Sequence, residues 1–133
     1  MKNQIILLRA AAVAFDLYGL AYFFMPHQMS ALLGAQLTQP GAAGDVRAVY
    51  GGLAFGLAIF FWLCANPADA RTGLKALLLT CGGLALGRLA GIVLDGLPGP
   101  FGWALLAVEA GGELAALLAL RMGAMPAAAR RPA

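Results

Sequence analysis

The sequence predicts an all-α bundle of four transmembrane helices with both termini on the cytoplasmic side. Composition is the first observation behind this reading. Of 133 residues, 62% are hydrophobic and 11% are charged, and the mean hydropathy is +0.82. A soluble domain is usually about 45–50% apolar and about 25% charged. The second observation is four apolar runs of spanning length, each near the ~20 residues that cover about 30 Å of hydrocarbon. The third is the uneven placement of the cations. The runs are continuous and rich in Leu and Ala, so helices are preferred over a barrel of alternating strands.

The first span is expected over residues 5–24. Met1-Lys2-Asn3-Gln4 and the apolar residues after it have the outline of a signal peptide. Arg9 and Asp16 interrupt that apolar part and no Ala-x-Ala site follows, so it reads as a retained span. The 25–45 connection holds Pro26 and Gly34, which suit the start and end of a short surface helix; an irregular loop fits equally well. The second span, 46–64, lies largely within a charge-free stretch, residues 48–68. Asn66-Pro67 breaks the chain before the third span, 74–94. Asp95-Gly96-Leu97-Pro98-Gly99-Pro100 makes a tight turn before the fourth, 101–122.

Positive charge orients the bundle. Lys2, Arg9, Arg71, Lys75, Arg121, Arg130 and Arg131 fall on the side of the termini, while Arg47 stands alone on the other and Arg88 lies within the membrane. The termini and the 65–73 connection are therefore expected in the cytoplasm, with 25–45 and 95–100 outside. The net charge is +3. The cations are scattered singly and form no stripe to track a phosphate backbone, which excludes a nucleic-acid partner. Cys64 and Cys81 read as small buried hydrophobes, and His27, the sole histidine, as a solvated loop residue. No cofactor and no metal is expected. Tyr22, Trp62 and Trp103 suit interfacial belts.

Small residues recur every four positions: Gly83, Gly87 and Gly91; Gly52 and Gly56; Ala107, Gly111 and Ala115. Such faces let helix backbones approach in lipid. They are expected to pack mostly within the bundle, with a homodimer face as the alternative.

The informative residues are charges inside the spans, each costing at least about 2.5–3.5 kcal/mol on insertion scales. A rise of ~1.5 Å per residue places Asp16 and Glu109 about 12 Å below the outer surface, and Arg88 about 10 Å below it. Glu113 lies one turn deeper. Arg47 opens span two, and Tyr50 follows three residues on, on the same side of that helix. The least costly arrangement gathers these groups in the interior, with Arg88 hydrogen-bonded to Asp16 and Glu109. One reading is a salt-bridge network fixing helix register. The other is a polar pocket open to the outer side, with Arg88, Arg47, Tyr50, Asp95 and Glu113 as ligand-binding residues and Asp16 and Glu109 as the acid–base pair.

Arg47-Ala-Val-Tyr50-Gly51-Gly52, Leu86-Gly87-Arg88-Leu89-Ala90-Gly91 with Asp95-Gly96, Glu109 and Asp16-Leu-Tyr-Gly19 occur in this order. Together they resemble a bacterial family of small four-helix membrane proteins classed as a domain of unknown function. The resemblance covers nearly the whole chain and implies a four-span fold in a bacterial inner membrane. It implies no reaction. Three functions remain open: binding or conversion of a small amphiphile or lipid, an accessory subunit or assembly factor of a larger membrane complex, and a small proton-coupled transporter.

Overall fold

A computed structural model describes residues 1–124, and these form helices and connections with no strands. Arg130 and Arg131, counted above among the cations of the terminal side, lie outside the described residues. The elements are α1 (Lys2–Phe24), α2 (Pro26–Leu32), α3 (Ala42–Val46), a π-helical turn (Arg47–Gly52), α4 (Leu53–Leu63), α5 (Ala70–Asp95) and α6 (Pro100–Ala124). α3, the π turn and α4 run on as one rod. Four helices are therefore long and apolar enough to cross a membrane: α1, this composite rod, α5 and α6. No more than 22% of the most apolar window of any of them is buried inside the bundle. The apolar side chains face outward, as lipid requires, and the chain is a multi-pass membrane protein.

Local chemistry sets the boundaries. Pro26 disfavours helical geometry at Met25, which sits at φ −126° and ends α1. The same proline opens α2, where its missing N–H is not needed. The short surface helix considered for the 25–45 connection is thus present, and it stops before Gly34 at φ +80°. Between α4 and α5 the Asn66 side chain accepts from the backbone N–H groups of Ala68 and Asp69 at 2.9 and 3.1 Å. Its amide donates to the Leu63 carbonyl at 2.8 Å, locking the turn. α5 ends at Gly96, whose φ of +103° suits only glycine.

α1 packs most closely on the π turn and α4, and α5 on α6. The two pairs meet through α1. Their shared core lies toward the end that carries the chain termini: Leu8, Phe61, Leu74, Leu77, Cys81 and Ala116 are buried there together. The Gln4 side-chain amide donates to the Ala119 carbonyl at 2.9 Å, which fixes the first and last helices at that end.

The small-residue stripes do not lie where the sequence places them. A Cβ added at Gly56, Gly83, Gly87 or Gly111 would meet nothing within 4 Å, so these faces point out of the bundle. The close approaches are elsewhere. A Cβ on Gly19 would stand 3.1 Å from the Gly51 carbonyl oxygen, where α1 crosses the π turn. One on Gly73 would stand 2.6 Å from Cys64 Cβ. Contact order between helices, not the i, i+4 spacing alone, decides which glycine is needed.

Candidate functional site

The ion pair buried within the spans lies toward the end opposite the termini. Arg88 comes from the last third of α5 and Glu109 from the middle of α6. Arg88 Nε donates to both carboxylate oxygens of Glu109, at 2.7 and 2.9 Å. Glu109 is 8% exposed, and the Arg88 side chain 24%. Nε is one of five guanidinium N–H donors. The two Nη groups have no acceptor among the described residues. Arg88 lines a cavity of about 300 Å³ together with Leu32, Leu33, Ile92, Asp95, Gly99 and Leu106. The cavity is open to its surroundings and lies between α2 and the α5–α6 turn. Asp95, the last residue of α5, stands at its rim. A carboxylate at a helix C-terminus faces the negative end of the dipole, so helix stability does not account for it.

Tyrosines lie close by. Tyr22 is 1% exposed, packed 4.7 Å from the Tyr18 ring and 5.1 Å from the Tyr50 ring. Arg88 is within electrostatic reach of Tyr18 and Tyr22. The Tyr22 hydroxyl is buried beside the Tyr18 hydroxyl, its hydrogen-bonding neighbour, and the Tyr50 ring. The interfacial position expected for Tyr22 is therefore replaced by burial. The π turn explains Tyr50: its wider winding turns that ring onto Tyr22.

Arg47 does not reach the cavity. Its Nε donates to the Phe23 carbonyl at 3.0 Å, so it satisfies an orphan acceptor at the end of α1. Nor does Asp16 join Arg88. It is exposed and lines a separate groove between α1 and α4 with Ala12, Val13, Ala58, Ile59 and Trp62. The depth estimate put Asp16 level with Arg88, but rotation of α1 sends it to the opposite side. Glu113 lies against Gly82, its Oε1 3.0 Å from where a Cβ there would stand. It shares the α5–α6 interface with Glu109 and Cys81, deeper than the cavity. The structure thus unites Arg88, Glu109 and Asp95, brings Tyr50 near, and leaves Asp16 and Arg47 apart.

Tyr18, Tyr22, Leu32 and Leu33 are neighbours of the site that sequence reasoning missed. The only signal was Tyr18-x-x-x-Tyr22, an i, i+4 pair on one helix face. Among the described residues no group of three His, Cys, Asp or Glu is placed to hold a metal ion.

No curated protein and no solved structure matches the chain. A family profile does, over residues 3–120, which reaches into all four spans and takes in the Arg88–Glu109 pair and the cavity. The chain belongs to the family described as Domain of unknown function (DUF4345).

Proposed function

We propose that the chain is a bacterial inner-membrane protein that binds a small amphiphile or lipid through the Arg88 cavity, which opens to the outer side. The observation that carries this reading is the guanidinium itself. Glu109 holds it by Nε alone, and Arg88 is itself part of the lining of a cavity whose walls are mostly apolar. An anionic or oxygen-bearing head accepts from the Nη groups in a charge-assisted bond. Leu32, Leu33, Ile92 and Leu106 take the apolar part. The volume is at the lower end of ligand sites, which favours a head group with a short stem over a whole diacyl lipid. Glu109 positions Arg88 in this reading, and Asp95 at the rim is the acceptor for a donor on the bound head. Proton-coupled transport by Glu109 is the weaker reading, because Arg88 Nε already occupies both of its carboxylate oxygens, at 2.7 and 2.9 Å.

Native mass spectrometry of protein extracted gently from its own membrane tests this reading. A discrete small-molecule adduct is expected on the unaltered chain and on Arg47→Ala. It is expected to be absent from Arg88→Met that retains its helical circular dichroism. A bare unaltered chain, or an adduct that survives in Arg88→Met, overturns the proposal.

A further inference from the structure

A second polar feature stands outside that cavity and is not explained by it. Asp16 is exposed on the membrane-facing groove between α1 and α4, a space of about 290 Å³. Its carboxylate has no ion pair and no hydrogen-bond donor among the described residues. The other groove residues are apolar: Ala12 and Ala58 form the floor, each under 7% exposed, and Val13, Ile59 and Trp62 form the walls, each over 50% exposed. A carboxylate facing hydrocarbon is costly unless it is paired.

No cation among the described residues pairs with it. Arg88 is held by Glu109 on the far side. Arg9 lies seven positions earlier on the same face of α1, about 10 Å away along the axis, and its guanidinium sits 5.7 Å over the Trp62 ring. A lipid head group does not supply one either, because Asp16 lies about 12 Å below the nearer end of α1. A second copy fails for a different reason. Two copies inserted in the same sense meet at equal depth, so a symmetric contact through this groove sets Asp16 against Asp16. Insertion in opposite senses is opposed by the cation bias.

We infer that the α1–α4 groove docks a transmembrane helix of another membrane protein, one with a lysine or arginine at the depth of Asp16. The alanine floor lets that helix approach closely, as small residues do in lipid. The groove covers just over one turn of each helix, from Ala12 to Asp16 and from Ala58 to Trp62, the length over which two crossing helices touch.

The test uses the full chain carrying a fluorescence donor in phosphatidylcholine vesicles. Its probes are two synthetic leucine–alanine transmembrane helices with an acceptor, one with a central lysine and one with leucine in its place. The lysine helix is expected to bind about tenfold more tightly, the size of one interhelical polar bond in a bilayer. Asp16→Asn is expected to erase that preference, and Arg88→Met to leave it intact, which separates this surface from the ligand cavity. Equal binding of the two helices to the unaltered chain overturns the inference, whatever the variants do. So does a preference that survives Asp16→Asn, or energy transfer between labelled copies of the chain that Asp16→Asn abolishes, which would make a second copy the occupant.

Discussion

Two identical substitutions on one helix should move stability in opposite directions. Gly73 and Gly83 both lie inside α5, and replacing either with alanine removes the same backbone penalty, about 1 kcal/mol in favour of the variant. Their surroundings differ. A Cβ at position 73 would stand 2.6 Å from Cys64 Cβ and 2.9 and 3.1 Å from the two Cδ atoms of Leu8. Leu8 is 0% exposed and Cys64 7%, and a Cβ cannot swing aside, so the backbones must part. Overpacking of this kind costs roughly 1–3 kcal/mol. Gly73→Ala is thus expected to lose up to about 2 kcal/mol net. At position 83 nothing lies within 4 Å, and Gly83→Ala is expected to gain roughly 0.5–1 kcal/mol. The assay is unfolding in mild-detergent micelles titrated with sodium dodecyl sulfate, followed by circular dichroism. Equal shifts in one direction would refute the reasoning. They would mean that α5 is rotated and that its glycine stripe, not Gly73, faces the bundle.

Arg88→Met is expected to destabilise the bundle by about 3 kcal/mol, because Glu109 is left buried without its partner. Adding Glu109→Leu should restore most of that loss, and a double-mutant cycle without coupling would show that the pair does not form. Tyr22→Phe removes a buried hydroxyl whose bonding neighbour is the Tyr18 hydroxyl, so stability should shift by less than about 1 kcal/mol; a larger loss in the same titration would reveal a stronger acceptor. Thr38→Cys should react with a membrane-impermeant maleimide on intact cells, and Ala68→Cys only after permeabilisation. Cys64 and Cys81 are buried and give little background. The reverse labelling pattern would invert the orientation.

The four spans were legible because hydropathy and helix breakers act locally. Pro26, Gly34, Asn66 and Gly96 each stop or start a helix through their own φ preference or side-chain bonds, with no help from a neighbour. The Arg88–Glu109 pair was also legible, since two opposite charges at similar depth in adjacent spans have few other partners. Helix rotation was not. Asp16 and Arg88 lie at one level, yet depth fixes height and leaves azimuth free, so the inferred contact between them failed. Apolar residues do not settle azimuth in a membrane, because lipid and the bundle interior are equally apolar. The outward glycines of α5 went astray for that reason. The π turn went unread because it arises from the crossing of Gly19 over Gly51 and from the Arg47 bond to Phe23, both long-range contacts.

The division of the bundle into a packed end and an end that holds the buried ion pair bears on how a ligand would enter. The buried core that joins the α1–α4 pair to the α5–α6 pair sits at the terminal end, around Leu8, Phe61 and Leu74. The strongest polar bond at the other end, Arg88 to Glu109, lies within the α5–α6 pair and does not tie the pairs together. Arg47 likewise ties the composite rod to α1, within the other pair. Each pair is thus braced internally at that end, while the halves meet there through tyrosines beside Arg88 and through α2 across the cavity. Separating the pairs at that end breaks no member of the core cluster and no charged bond. Separating them at the terminal end breaks both the core and the Gln4–Ala119 hydrogen bond. The energetically easier opening is therefore at the Arg88 end, beside the cavity, and the fold places its one deep paired arginine where the two halves are least firmly held.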